Sequence, residues 1–198
     1  MQQDRERPMT DDVLTAALEK RNAVVVHFSH HANMRAGGVF PDDLQEAIRN
    51  KDEWPLSCSV LWPGHTMQPC GSVGVMFKPT IASVQSVSNT DAGSFLGSDG
   101  TDRSGGQPLN EDTFEGTFQV VGDYNEWRVL GAEVTGIFVH NTCCVEVKRP
   151  MQIPGLPDGA LLSDISVTRI ELTDVFDAFE TLKVFTMTSS GLTQVGRP

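Results

Sequence analysis

The apolar residues of this chain recur at helical spacing near its start and at strand spacing over most of the rest. Thr10 stands before Asp11-Asp12-Val13-Leu14-Thr15-Ala16-Ala17-Leu18-Glu19-Lys20, with acids in the first turn and a base in the last, which predicts a helix over residues 11–21. Ala23 to Phe28 follows as a strand whose Val24-Val25-Val26 run needs a sheet to bury it. Pro41 and the i, i+4 pair Leu44 and Ile48 predict a second short helix ending at Arg49. After Trp54-Pro55 the chain reads as strands: Leu56 to Trp62, Ser72 to Lys78, and Ile81 to Val87, whose alternation leaves one face wet.

Residues 89–111 are rich in glycine, serine and aspartate and lack periodicity, which predicts a long loop serving as a lid, a binding loop or a surface insertion. Thr117 to Val121, Asn125 to Leu130, Val134 to Val139 and Cys143 to Val147 then read as strands in quick succession, a spacing that implies antiparallel pairing. Pro150 to Asp158 is a connector, Ile165 to Leu172 a strand, Asp174 to Leu182 a short helix and Lys183 to Thr188 a last strand. Residues 1–9 and 190–198 read as loose tails. The expectation is a single domain over residues 1–198, of α+β class, with a mostly antiparallel sheet and a few short peripheral helices.

A length of 198 residues at 39% hydrophobic content suffices for one good core. The net charge of -11 repels nucleic acid at long range, so a polynucleotide partner would require a local basic patch. No apolar run approaches a membrane span, and Met1 to Arg7 lacks the apolar core of a signal peptide, which makes a cytoplasmic location with no membrane partner the expectation. Cys58, Cys70, Cys143 and Cys144 include a vicinal pair and no C-x-x-C spacing, so they read as free thiols, with no metal site assigned.

Two places concentrate chemistry. His27-Phe28-Ser29-His30-His31-Ala32-Asn33-Met34 holds three of the five histidines at a strand end, where sheets commonly carry ligands. One reading is a metal-dependent hydrolase or nuclease that gathers His27, His30, His31 and His65 with acids such as Asp91. Against it, His27 also fits a satisfied core histidine, His30 and His31 fit solvated loop positions, and Asn33 fits a turn former or helix cap. Glu126 is the second place: it lies in a strand between Tyr124-Asn125 and Trp127, where a ring beside the carboxylate favours partial desolvation and proton transfer. The plain alternative is an outward-facing strand residue. The acidic charge supports a third reading, a non-catalytic binding or inhibitor protein.

The eight positions from His27 to Met34 resemble the start of the DarT-type DNA ADP-ribosyltransferases, whose first strand ends in His, a hydrophobic residue, Thr or Ser, His, two variable positions, Asn and Leu. The fifteen positions from Asn125 to Val139 resemble the segment that follows the specificity loop in ADP-ribosyltransferase folds, where a catalytic Glu heads a strand and a second strand with an apolar end comes after it. The resemblance implies an ADP-ribosyltransferase-like split β-sheet core gripping NAD. It also implies NAD-dependent transfer of ADP-ribose to a macromolecular acceptor, nucleic acid or protein, with NAD as the substrate and Glu126 as the catalytic residue. His27, Ser29 and Asn33 would bind the ribose, nicotinamide or phosphates, and the family's cofactor arginine falls on Arg35 or Arg49, of which Arg49 is taken. Residues 89–111 would cover or select the acceptor, with Asp91 and Arg103 as contacts, and His30 and His31 become bystanders. The chain departs from the pattern where Arg35 to Pro41 intervenes before the helix, and its acidity fits poorly with DNA as the target. A toxin-like enzyme with an antitoxin or inhibitor partner is one setting for such an activity.

Overall fold

Ten strands and four helices account for the regular structure among the described residues, which in this computed structural model are 9–29, 40–67, 72–90, 106–119, 121–122, 124–142, 145–150 and 165–198. In chain order they are α1 (Asp11–Lys20), β1 (Val24–Phe28), α2 (Asp42–Asn50), β2 (Leu56–Leu61), β3 (Val73–Lys78), β4 (Val84–Ser88) and α3 (Glu111–Thr117). After them come β5 (Glu126–Val129), β6 (Glu133–Val139), β7 (Val145–Pro150), β8 (Ile165–Ile170), α4 (Leu172–Ala178), β9 (Val184–Thr188) and β10 (Gly191–Val195). Eight strands form one sheet in the order β10-β9-β6-β3-β1-β2-β5-β4, and β7 pairs with β8 in a separate ribbon. Within the large sheet every pair is antiparallel except β6 with β9. A parallel pair cannot be joined by a tight turn, and the chain between β6 and β9 runs through β7, β8 and α4. The α+β class and the mostly antiparallel sheet agree with the sequence pattern.

The helices share one face of this sheet. Leu14 and Leu18 of α1, Leu44 and Ala47 of α2, Phe114 of α3 and Val175 of α4 join Val25, Val60, Val75, Trp127 and Ile137 in the larger apolar core. A smaller core on the other face gathers Val26, Phe28, Leu61, Met76 and Phe138 with Met67. The alternation of Val24-Val25-Val26-His27-Phe28 between these two sets is the period of two that a strand imposes. Thr10 caps α1 by accepting from the Val13 amide, as the sequence pattern requires.

Five expectations change. At the start of the predicted strand from Thr117 to Val121, Thr117 instead ends α3 and Phe118 caps it, because Asn110 and Thr113 form a capping box and Phe114 and Phe118, four residues apart, pack at a tilt. The long loop ends earlier than 111: Gln107 exchanges both backbone hydrogen bonds with Val87, and Glu111 already opens α3. Ile81 to Ser83 belong to a turn tied by Thr80 and Ser83, so β4 starts at Val84. Residues 191–195 are not a loose tail but β10, paired along its whole length with β9 and entered through Gly191 at φ +122°, a conformation glycine adopts without strain. The last helix also sits two residues early, beginning at Leu172 behind a Glu171–Asp174 capping box. Residues 1–8, 91–105, Cys70, Cys143, Cys144 and 151–164 lie outside the described residues.

Candidate active site

β2 lies between β1 and β5, and both neighbours leave it part-way. With β1 it shares three pairs, Val24–Leu61, Val25–Val60 and Val26–Ser59. The last two residues of β1, His27 and Phe28, continue in register with Val75 and Gly74 of β3. Gly74 permits that closeness, since a Cβ there would lie 2.7 Å from the His27 carbonyl oxygen and 2.5 Å from Val26 Cγ1. With β5, β2 pairs at Leu56–Val129, Ser57–Arg128 and Cys58–Trp127. The two ladders therefore overlap little along β2.

Side chains take over where the ladders stop. At Val60 the Asn125 amide does what a strand backbone would do: its Oδ1 accepts from the Val60 N–H at 2.7 Å and its Nδ2 donates to the Val60 carbonyl at 2.9 Å. Alternation along the strand then turns the peptide groups of Ser57 and Ser59 toward β1. The Ser57 carbonyl, which a longer β1 ladder would engage through Phe28, is instead 2.7 Å from His27 Nδ1. A carbonyl oxygen only accepts, so Nδ1 carries the proton and Nε2 of the neutral ring is the accepting nitrogen.

Glu126 is the residue after the amide clamp and the first of β5. It is 4% exposed, directly across from Ser88 of β4. One step beyond the Cys58–Trp127 pair, it lies beside Ser59 of β2. The row Val26, Ser59, Glu126, Ser88 thus crosses four strands and passes from apolar to polar. Strand parity assigns His27 to the face of the sheet opposite that of Glu126, with Val75, while its hydrogen bond draws the ring to the seam between β1 and β2. His27 and Glu126 therefore flank β2 from its two sides, separated by two strand spacings, roughly 10 Å.

Trp127 fixes the strand that carries Glu126. Its ring is fully buried, its Nε1 donates to Thr117 Oγ1 at 3.0 Å, and it meets Phe114 edge-on, which ties β5 to α3. Arg21 at the end of α1 covers Phe114 and Phe118 and pairs with Glu115. Cys58, across from Trp127, is 2% exposed, and burial, with the Glu126 carboxylate adding to it, pushes its thiol far above its ordinary value. It is a packing thiol, not a nucleophile.

Ser29 is 2% exposed and donates to Asp43 Oδ2 at 2.5 Å, a bond that anchors the end of β1 to the first turn of α2. Asp43 also accepts from the Leu44 amide. Arg49 is exposed in the last turn of the same helix, about 9 Å along its axis from Asp43. Asn33, His30, His31, Asp91 and Arg103 lie outside the described residues. His65 stacks on Trp62 with ring centroids 3.8 Å apart. Among the described residues no group of three or more His, Cys, Asp or Glu is placed to hold a metal ion. Also among them, no helix is long and apolar enough to cross a membrane.

Sequence reasoning missed Asn125, Ser88 and Asp43. Asn125 was visible only as the neighbour of Glu126, Ser88 as one polar position of an alternating strand, and Asp43 as a helix-start acid. Their roles depend on which strand or helix comes alongside. Set against known proteins, the chain matches no protein-family model and no curated protein.

Proposed function

We propose that this chain is an NAD-dependent ADP-ribosyltransferase that transfers ADP-ribose to a macromolecular acceptor, on an ADP-ribosyltransferase-like split sheet. The observation that carries the reading is the placing of a buried carboxylate, Glu126, and a tautomer-fixed imidazole, His27, on the two sides of β2, where its ladders end. The three-pair join between β1 and β2 is the narrow waist that a split sheet would have. The chain leaves β4 at Ser88 and returns beside it at Gln107, so the segment assigned to acceptor selection starts and ends next to the residue across from Glu126.

In the reaction the bond between C1′ of the ribose and the nicotinamide nitrogen breaks, and nicotinamide departs with the electron pair. The oxocarbenium-like C1′ is then attacked by a nucleophile of the acceptor. Glu126 accepts a hydrogen bond from the ribose 2′-hydroxyl, places negative charge where positive charge develops, and receives the acceptor's proton. His27 accepts through Nε2 from a ribose hydroxyl, an interaction that its Nδ1 bond to Ser57 prepares. Ser29 supports that end of β1 through Asp43.

The test is nicotinamide release from nicotinamide-labelled NAD, together with transfer of label from adenine-labelled NAD to DNA, RNA and protein fractions. The expected result is release and transfer by the wild-type chain, with Glu126→Gln slower by about 10²-fold or more. Turnover that survives Glu126→Gln would remove Glu126 from the reaction. Absence of both release and transfer would favour a non-catalytic acidic binding protein.

A further inference from the structure

Asn125 is 1% exposed, and both ends of its amide are spent on the single peptide unit of Val60. In a regular antiparallel ladder, the backbone of residue 125 would exchange those two hydrogen bonds itself. Because the side chain makes them, the backbone at 125 stands off from β2 by the reach of that side chain, while Trp127 two residues on is back in register with Cys58. Glu126 lies between a clamped side chain and a clamped backbone, with its direction fixed from both sides. We infer that Asn125 is the positioning residue for Glu126: its amide sets where the carboxylate stands by holding the start of β5 off β2. The inference rests on the reading of Glu126 as the catalytic carboxylate, and the clamp itself is independent of any reaction.

The chemistry required is narrow. A primary amide on one methylene carries a donor and an acceptor side by side, as a peptide group does. An ionised carboxylate at the same reach accepts from Val60 N–H but repels the Val60 carbonyl. Once protonated it donates to that carbonyl and restores both bonds. Alanine restores neither.

Asn125→Asp and Asn125→Ala, prepared in the full chain, separate positioning from bulk stability. Steady-state NAD turnover, scaled to the folded fraction at each pH, is expected to fall about 10²-fold in kcat for Asn125→Ala with KM for NAD changed little, since a misplacement of about 1 Å costs that much. Asn125→Asp is expected to show a comparable deficit at neutral pH that closes as pH is lowered, a profile absent from wild type. Equal kcat in all three proteins at every pH would make Asn125 a structural residue only and overturn the inference. A second readout needs no reaction: the side-chain carboxyl ¹³C resonance of Glu126, assigned by its loss in Glu126→Gln. It is expected to move in Asn125→Ala, and in Asn125→Asp to return toward the wild-type position at low pH. An unmoved resonance overturns the inference whatever happens to NAD. A moved resonance without nicotinamide release by wild type upholds the positioning role and overturns the proposed function alone.

Discussion

The two sides of β2 are closed by different chemistry. On the β5 side a carboxamide makes two hydrogen bonds to one buried peptide group, one through each end of the amide. On the β1 side an imidazole ties one ring nitrogen, Nδ1, to the Ser57 carbonyl. Both devices satisfy a backbone group that would be costly to bury alone, by about 1–3 kcal/mol each. They differ in how they attach. Asn125 joins both ends of its amide to one peptide unit, whereas His27 is joined to β2 through one of two ring nitrogens. One seam is braced through two hydrogen bonds, and the other through the residue that the proposed function assigns to the ribose.

The β5 seam is also the better anchored. Trp127 reaches α3 through Thr117 and through Phe114, and α3 is tied back to α1 by Arg21 and Glu115. The strongest way to break the comparison is therefore Trp127→Ala, which removes a fully buried indole and the hydrogen bond it donates to Thr117. It is expected to cost about 3–5 kcal/mol in urea denaturation, with Trp127→Phe losing far less. If Trp127→Ala were tolerated within 1 kcal/mol or so, β5 would not depend on α3.

The second variant pair acts on the β1 seam. His27→Ala leaves the Ser57 carbonyl without its donor and is expected to lower stability by about 1–3 kcal/mol. His27→Asn puts an amide N–H near the Nδ1 position and is expected to regain most of that stability. NAD turnover is expected to stay low in both, because neither supplies the accepting nitrogen. Recovery of turnover with stability in His27→Asn would reduce His27 to a brace like Asn125.

The smallest effect concerns Cys58, the core residue of β2 between Ser57 and the second seam. Burial raises its thiol above the ordinary 9.0, so the folded state keeps a proton that the unfolded state releases at alkaline pH. The sign follows directly: its contribution is fully present below the unfolded value and declines as pH rises above it. The stability difference between wild type and Cys58→Ala is expected to be flat at neutral pH. Above 9.0 it is expected to fall, by up to about 1.4 kcal/mol per pH unit, in denaturation measured at stepped pH. A flat difference through about pH 10.5 would mean that solvent reaches the thiol and that β2 is looser between its seams than its burial implies.

Local rules carried much of the fold. The capped helix at Asp11, the alternation through Val24-Val25-Val26, and the strands around Leu56, Val73, Val134 and Val184 are legible because each states its own period. The misses occurred where a neighbour outweighed local preference. Thr117 to Val121 has strand-forming residues, yet Phe114 and Phe118 gain more by packing as successive helical turns beside Trp62 and Trp127. Gly191 to Val195 looks like a polar tail and is held by the exposed edge of β9.

The candidate site divides in the same way. The sequence marked a histidine cluster closing an apolar run and a carboxylate between an amide and an indole, and the family resemblance singled out His27 and Glu126 among them. Only the tertiary structure decided that His27 is tied to Ser57 of β2, that Ser29 is bound to Asp43, and that Asn125 replaces a piece of backbone. The reason is that these relations are hydrogen bonds between residues 14 to 65 positions apart. No periodicity encodes a partner at that distance; the order of strands in the sheet selects it.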